Sequence, residues 1–363
     1  MSSTVCGFIG LGLIGGSIAR ALKAADPSIR IIAFDPNEES LRMAQEEGIA
    51  DTAASRIDAS FSACDYIFLC APVEINDENL ILLRPFLHPE TTLTDIGSVK
   101  TDIHRHIHAL GLDAQFIGGH PMAGTERIGY QNSKAVLLEN AYYILTRTPE
   151  TDETRLQSCY RLVQLMGAIP LVVTYEQHDY ITAAISHLPH VISASLVNLI
   201  KSSDSPDGLM KMIAAGGFKD ITRISSSSPV MWQQICLTNA DNISALLSDY
   251  IASLSHMKEV IDAHDAQALY DFFASARNYR ESFIDVSSGP IKKVYAIHVD
   301  IADQPGMLAA VATLLAVHSI NIKNIGIIHN REYERGTMRI EFHEEKDISV
   351  ATQLLQMHGY VVS

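Results

Sequence analysis

The sequence of 363 residues predicts an α/β protein: a doubly wound parallel sheet, an all-helical region, and a C-terminal unit of order βαββαβ. Three observations carry this prediction. Short apolar runs alternate with helical stretches up to about Val173, and no glycine or proline occurs between Pro229 and Gly289. Strand and helix signals then alternate again to the end of the chain. We therefore expect domains at 1–173, 174–286 and 294–363, with a linker at 287–293.

The first strand of the predicted sheet, Val5–Ile9, leads into the loop Gly-Leu-Gly-Leu-Ile-Gly and then into a stretch with helical spacing. The first glycine permits a tight turn, the second lets the backbone approach a pyrophosphate, and the third allows close packing of helix on strand. The free N–H groups at the start of the helix bind phosphate. This context predicts a Rossmann domain whose dinucleotide site includes Gly10, Gly12, Leu13, Ile14 and Gly15.

The second strand, Ile31–Phe34, ends in Asp35, which lies 20 residues after Gly15. A carboxylate at this place accepts hydrogen bonds from both ribose hydroxyls and repels a 2′-phosphate. We therefore predict NAD as the cofactor rather than NADP.

Four later segments, 65–72, 91–98, 115–118 and 142–145, are predicted to continue the parallel sheet. Ligands of such sheets bind at the carboxyl ends of the strands. The residues at those ends are therefore expected to face the nicotinamide: Ala71, Pro72, Ser98 and His120.

His120 lies in Gly-Gly-His-Pro, where the glycines and Pro121 predict a loop instead of regular structure. A histidine there is either an exposed loop residue or a catalytic base. Ser98 follows a strand and precedes a helix, so a helix N-cap is the alternative to a role in catalysis.

The helical region repeats apolar residues at spacings of three and four between Ile243 and Leu254. Helices this long must bury a broad face, so we expect a homodimer, with a closed bundle within one chain as the alternative. His187 and His190 stand three residues apart near a helix start. They have no acidic or cysteine partner at ligand spacing, so no metal site is predicted. Arg223 can fork onto a substrate carboxylate or form an ion pair with Asp220.

The formal net charge is −15, which makes nucleic acid and anionic membranes poor partners. Five cysteines lie far apart without a C-x-x-C pair, which predicts buried free thiols in a reducing, cytoplasmic compartment. We find no signal peptide and expect no uncharged apolar span of 18 residues that could cross a bilayer.

The C-terminal segment predicts a strand at 294–301, a helix at 307–317, strands at 320–328 and 336–342, a helix at 348–357 and a last short strand. This order is that of a ferredoxin-like fold.

Five motifs occur in a fixed order along the chain: Gly10–Gly16, Asp95–Lys100, Gly118–Glu126, Ser186–His190 and Gly217–Ile224. Together they resemble the prephenate dehydrogenases of tyrosine biosynthesis. Asp303–Leu308 and Ser319–Ile325 resemble an ACT regulatory domain. No segment similar to chorismate mutase precedes the glycine loop, so the resemblance is to the monofunctional form.

This resemblance implies an oxidative decarboxylation in which prephenate and NAD give 4-hydroxyphenylpyruvate, carbon dioxide and NADH. His120 matches the catalytic histidine, and Ser98 matches the serine that holds the substrate hydroxyl and the histidine in line. The implied substrate-binding residues are Arg223, His190, His187, Thr125 and Trp232. The helical region would be the dimerisation domain.

The ACT resemblance implies an amino-acid effector, with tyrosine, the pathway product, expected before phenylalanine. Its binding residues would be Asp303, Pro305, Gly306, Met307, Leu308, Asn321 and Ile322. Three alternatives stay open. The substrate could be arogenate, the enzyme could be a β-hydroxyacid dehydrogenase that uses Lys219 as its acid–base group, or the chain could be a sensor of NAD and amino acids without turnover.

Overall fold

A computed structural model describes residues 4–125, 127–285, 295–302, 304–329, 336–342 and 344–362. Contacts divide the chain into two compact units, Met1–Leu269 and Tyr270–Ser363. The linker predicted at 287–293 lies outside the described residues.

A five-stranded parallel sheet forms the centre of the first unit. Its strands are β1 (Val5–Ile9), β2 (Arg30–Phe34), β3 (Thr52–Ala54), β4 (Tyr66–Leu69) and β5 (Thr92–Asp95), in the order β3-β2-β1-β4-β5. The helices α1 (Leu13–Ala25), α2 (Glu38–Glu46), α3 (Val73–Leu83) and α4 (Thr101–Ala109) alternate with them. Separate apolar clusters cover the two faces, as the continuous apolar runs of the strands require. This order confirms the predicted doubly wound Rossmann sheet.

Three further strands form a second sheet beside β5. They are β6 (Ile117–Pro121), β7 (Tyr142–Arg147) and β8 (Ile169–Val173), and a bridge between Leu93 and Phe116 joins the two sheets. Strand β6 runs antiparallel to β7, so the expectation of a continuing parallel sheet is wrong at this point. The described residues of the connection from β6 to β7 contain two short 3₁₀ turns and no crossover helix. By contrast, α5 (Glu153–Leu165) connects β7 in parallel to β8.

The chain between β6 and β7 is packed on α1. Tyr130 is fully buried, donates a hydrogen bond of 2.8 Å to Glu47, and lies under the guanidinium of Arg20 at 4.6 Å. A Cβ on Gly16 of α1 would come within 2.7 Å of both Ser133 and Tyr130. A residue with a side chain at position 16 would therefore push this segment off the helix.

The helical region begins with α6 (Tyr175–Thr182), a π-helical turn (Ala183–His187) and α7 (Leu188–Ser203). It continues with α8 (Leu209–Ile213), α9 (Gly216–Thr222), α10 (Pro229–Thr238), α11 (Ala240–Asp262) and α12 (Ala266–Asp285). Many large apolar side chains of these helices are exposed, among them Leu237 at 71% and Val230 at 65%. In the described residues, the helices of one chain therefore do not form the closed bundle that was considered above as the alternative to a homodimer.

The stretch Tyr175–Ser203 is long and apolar enough, by length and composition alone, to cross a membrane. The expectation that no such span exists is therefore wrong. Only 17% of its most apolar window is buried in this chain. Its polar side chains His178, Asp179 and Thr182 are nonetheless fully buried and hydrogen-bonded to protein groups, as in a helix that packs against other parts of a protein.

The second unit contains a four-stranded antiparallel sheet. Its elements are β9 (Tyr295–Ile301), α13 (Met307–Val317), β10 (Ile322–His329), β11 (Gly336–Phe342), α14 (Lys346–Met357) and β12 (Val361–Val362). The strand order is β10-β11-β9-β12, and alternate residues of β11 are buried beneath the two helices. The predicted ferredoxin-like fold is confirmed.

Candidate active site

The glycine loop has the shape that a pyrophosphate requires. Gly10 has a φ of +98°, and a Cβ there would lie 2.9 Å from backbone atoms of Ala71 and Cys70 at the end of β4. A Cβ on Gly15 would lie 2.8 Å from the carbonyl oxygen of Gly10. At Gly12, by contrast, an added Cβ would meet no atom within 4 Å, so this side of the loop is open. The backbone geometry of the loop, as well as its sequence, therefore fits a dinucleotide.

Helix α1 begins directly after this loop with Leu13 and Ile14, which are both partly exposed. Its N-cap, Gly12, provides no side-chain hydrogen bond, so the first N–H groups of the helix are left for a ligand. Ala71 and the exposed Pro72 follow β4 and precede α3, on the side of the sheet that the loop faces.

Asp35 is fixed at the end of β2 by two backbone donors. Its Oδ2 accepts from the N–H of Leu11 at 2.6 Å, and its Oδ1 accepts from the N–H of Asn37 at 2.7 Å. Each carboxylate oxygen keeps a second lone pair, which a ribose hydroxyl can use. The residues of this strand end therefore fit NAD.

His120 lies in strand β6 and pairs with Ile144, so the prediction that it sits outside regular structure is wrong. The glycines before it serve close packing instead of a turn. A Cβ on Gly118 would lie 2.3 Å from Thr146 Oγ1, and one on Gly119 would lie 2.5 Å from the carbonyl oxygen of Asp95. Pro121 is tolerated because it is the last residue of the strand.

A chain of hydrogen bonds sets the tautomer of His120. The Asp179 carboxylate can only accept, so His178 donates its Nδ1–H to Asp179 Oδ1 at 2.8 Å. The neutral His178 ring then accepts at Nε2, and His120 Nδ1 lies 2.8 Å away as its donor. His120 Nε2 is left with a free lone pair. This is the form of a histidine that accepts a proton.

His120 and His178, the two histidines of this hydrogen-bond chain, are both held neutral. Burial lowers the pKa of His120 well below its usual value, and the nearby His178, Lys100 and His187 lower it further. Burial also lowers the pKa of His178, although Asp179 partly counteracts it. Burial alone would raise the pKa of Asp179, but its hydrogen bonds from His178, Thr101 and the Lys100 backbone outweigh that effect and lower it.

Ser98 lies in the half-buried segment between β5 and α4. Helix α4 begins at Thr101 with Lys100 at the capping position, so Ser98 is not the N-cap considered above. Among the hydrogen bonds of the described residues, none joins Ser98 to His120.

The π-helical turn directs two histidines toward this region. His187 is buried, which lowers its pKa to about 4, and its Nδ1 lies 3.2 Å from the amide nitrogen of Asn239. His190 donates its Nδ1–H to the carbonyl of Ser186 at 2.9 Å, which leaves Nε2 for a ligand. π-Helical turns of this kind are frequent at functional sites.

Trp232 and Arg223 lie next to His190. The rings of His190 and Trp232 stack with centroids 3.7 Å apart, and the buried Trp232 Nε1 donor has no hydrogen-bond partner among the described residues. Burial lowers the pKa of His190, and the charge of Arg223 contributes to that shift. The structure thus brings three of the predicted substrate residues together.

Thr125 is exposed and accepts a hydrogen bond from the N–H of Arg127 at 3.1 Å. It stabilises a turn, and its neighbour Glu126 lies outside the described residues. The described residues contain no group of three His, Cys, Asp or Glu side chains that could hold a metal.

Sequence reasoning missed His178 and Asp179. They stand side by side near the start of α6, 58 residues from His120, and no glycine or proline motif marks them. Their only signal was a His-Asp pair inside an amphipathic helix.

Comparison with known proteins agrees with this geometry. The family model of the prephenate dehydrogenase nucleotide-binding domain matches residues 18–172, and that of the prephenate dehydrogenase dimerization domain matches residues 174–275. A curated prephenate dehydrogenase of Bacillus subtilis (strain 168) is 36% identical over 352 residues, which cover 96% of this chain and 94% of the relative.

The chain belongs to the prephenate dehydrogenase family. It is an NAD-dependent prephenate dehydrogenase, so the β-hydroxyacid dehydrogenase and the sensor without turnover are set aside. Residues 297–362 match an AHAS small subunit-like ACT domain.

Two solved structures are similar to more than three quarters of this chain. One is a prephenate dehydrogenase from A. aeolicus in complex with hydroxyphenyl propionate and NAD⁺, with a TM-score of 0.73 and 33% identity. The match covers 78% of this chain and 99% of the A. aeolicus chain. Synechocystis arogenate dehydrogenase has a TM-score of 0.71 and 29% identity, with coverage of 77% and 100%.

Asp35→Ser is expected to weaken NAD and to improve NADP use. The variant loses the acceptor for the ribose hydroxyls, worth about 1.5–3 kcal/mol, so the KM for NAD rises roughly tenfold or more. Steady-state kinetics with both cofactors measure this. Asp51→Ser is the control. Asp51 also accepts a hydrogen bond from a backbone N–H of β2, that of Ile31 at 2.7 Å, but it lies beside the start of β2, whereas Asp35 follows its end. An unchanged NAD preference in Asp35→Ser contradicts the assignment.

His178→Phe is expected to lower kcat by about one to two orders of magnitude with a small change in KM. The ring volume is kept, but His120 loses the acceptor that fixes its tautomer. His104→Phe is the matched control, since His104 is another buried histidine, bonded to Thr146 at 2.8 Å. Equal kcat values for the two variants exclude the hydrogen-bond chain from catalysis.

Proposed function

We propose that His120 is the proton acceptor in the oxidative decarboxylation of prephenate to 4-hydroxyphenylpyruvate. The observation that carries the proposal is the free lone pair on His120 Nε2, which the chain through His178 to Asp179 leaves available. The relative crystallised with hydroxyphenyl propionate supports a ligand of this shape in the family.

The substrate loses a proton from its ring hydroxyl and a hydride from the carbon that bears it. His120 Nε2 takes the proton, and NAD, when bound, supplies the nicotinamide that accepts the hydride. The ring carboxylate then leaves as carbon dioxide, and its bonding electrons pass through the ring to the carbonyl oxygen that the oxidation formed. That oxygen takes back the proton from His120, which gives the aromatic phenol of the product. The neutral state of His120 suits this role, since a protonated imidazole accepts nothing.

We assign the substrate's carboxylates to the cluster of Arg223, His190 and Trp232. A guanidinium forks onto a carboxylate, while the open Nε2 of His190 and the unpartnered Nε1 of Trp232 offer polar contacts beside it. His187, whose ring centroid lies 6.0 Å from that of Trp232, is a further proposed binding residue. Thr125 is proposed as another, and Ser98 is proposed to orient the substrate hydroxyl from the segment after β5. Prephenate is the proposed substrate over arogenate because the matched family models carry its name.

His120→Asn is expected to lower kcat by about two to four orders of magnitude, because a positioned proton acceptor is lost. In the native enzyme the pKa of His120 is depressed, so kcat stays level at neutral pH. It falls only as the pH drops through that depressed pKa, below the usual 6.5. Kinetics on prephenate across pH measure both effects. His106→Asn is the control, since His106 is an exposed histidine bonded to Asp77. Near-native turnover in His120→Asn removes this residue from the mechanism.

We also propose that the enzyme is a cytoplasmic homodimer. The exposed apolar side chains of α10 and α11 support a second copy as the partner, and the matched model is that of a dimerization domain. A molar mass near that of one chain in solution contradicts this.

The ACT unit is proposed to bind tyrosine as a feedback inhibitor. A cavity of about 390 Å³ lies at the turn from β9 to α13, lined by Pro305, Gly306, Met307, Leu308 and Ile327. Gly306 has a φ of +92° and caps α13 without a side chain, so the first N–H groups of that helix can bind a carboxylate. The exposed Asn321 and the half-buried Ile322 at the start of β10 complete the proposed set, and Asp303 lies outside the described residues.

Leu308→Glu is expected to weaken tyrosine inhibition by about tenfold or more while leaving kcat unchanged. It places a carboxylate beside the one that the helix start binds, and like charges at that distance repel. Inhibition curves on the full chain measure this, with Met357→Glu as the control on an exposed residue outside the cavity. Competitive inhibition that Leu308→Glu leaves intact places tyrosine at the active site and ends the regulatory proposal.

A further inference from the structure

A buried ion pair lies directly behind His120. The Lys100 ammonium is fully buried, contacts Asp95 Oδ2, and donates to the carbonyl oxygen of Gly119 at 2.8 Å. Asp95 Oδ1 in turn accepts from the N–H of Gly119 at 3.1 Å. The pair therefore holds both backbone polar groups of the residue that precedes His120.

Lys100 also reaches His120 by a second route. Its own N–H donates to Asp179 Oδ1 at 2.7 Å, on the same carboxylate oxygen that accepts from His178. The side chain of Lys100 thus fixes the strand that carries His120, and its backbone fixes the acid that orients His178.

Stability alone is a poor explanation for this pair. Taking two charges out of water costs several kcal/mol per ion, and apolar replacements of such pairs are often neutral or stabilising. The neighbouring Gly97 donates to Asp95 Oδ2 at 2.9 Å, so the carboxylate is satisfied on both oxygens and rigid. The arrangement resembles a support for a site more than a general stabiliser.

Lys100 acts on His120 through its charge as well as through the contacts described above. Burial lowers the pKa of His120, and three neighbouring groups, His178, Lys100 and His187, lower it further. Burial lowers the pKa of Lys100 itself, and the charge of Asp95 opposes that. Asp179 neutralises the region from the side of α6. The charge of Lys100 thus adds to burial, the larger cause, in disfavouring protonation of His120.

We propose that Lys100 and Asp95 are positioning residues for the reaction, which together fix the strand before His120 and keep its imidazole in the accepting form. The proposal rests on His120 as the proton acceptor. Neither residue needs to touch substrate or cofactor for this role.

Lys100→Met in the full-length enzyme tests it. The change keeps an unbranched apolar stem, removes the charge, and leaves the carbonyl of Gly119 without its donor. We expect kcat for prephenate to fall about tenfold or more, with KM changing less than about threefold. The acidic limb of the kcat profile moves to higher pH, because the pKa of His120 rises when a neighbouring cation is removed.

Lys23→Met is the matched control. Lys23 also pairs with an aspartate of the sheet domain, Asp51 at 2.8 Å, but does not contact the residues around His120. Native kcat and a native acidic limb in Lys100→Met, as in Lys23→Met, overturn the proposal. A purely structural role would lower the folded fraction in Lys100→Met without moving the limb, and that result overturns it as well.

If Lys100→Met does not fold, the double variant Asp95→Asn with Lys100→Met decides the matter. It leaves no unpaired buried charge, while its asparagine oxygen can still accept from Gly119. Because this variant removes one cation and one anion together, its readout is the split between kcat and KM: a fall in kcat of about tenfold or more with KM nearly unchanged supports the proposal, and native kcat overturns it. His120→Asn separates the two hypotheses: if it is active, the proton acceptor is wrongly assigned, whereas an inactive His120→Asn beside a native Lys100→Met overturns only the positioning role.

Discussion

The Asp179 carboxylate is the interaction on which the rest of the active site depends. It is fully buried and accepts from the N–H groups of Lys100 and Thr101, from the Thr101 hydroxyl and from His178. An ionised carboxylate is stable away from water only when its lone pairs find donors. The start of α4, from the sheet domain, and the start of α6, from the helical region, are therefore fixed relative to each other. The hydrogen bonds at that junction set the tautomer of His120.

Local sequence patterns were sufficient where the function depends on local backbone shape. The glycine loop, Asp35 and each element of the βαββαβ order follow from patterns of neighbouring residues, and the structure has them as expected. The strand containing His120 shows where such patterns fail. Glycine and proline suggested a loop, but Gly118 and Gly119 are glycines because Thr146 and Asp95 approach their backbone from distant parts of the chain.

The hydrogen-bond chain behind His120 was out of reach of sequence reasoning for a related reason. His178 and Asp179 acquire their roles only through the packing of α6 against β6 and α4, which no spacing rule encodes. The apolar stretch that contains them was also misjudged, since burial within a protein and burial in lipid favour the same composition. The family motifs identified His187, His190, Trp232 and Arg223 as candidates, and the structure adds that the last three lie together.

The π-helical turn Ala183–His187 has a consequence for how this helix could change. Such a turn holds one more residue than the α-helical turn it replaces, and one residue corresponds to about 100° of rotation. This one extra residue therefore determines the rotation about the helix axis between His178 and the residues after the turn, including His190. Loss of one residue there would give a more regular helix and turn one histidine away from the other. A length change in this helix is therefore far more disruptive to the site than most substitutions along it.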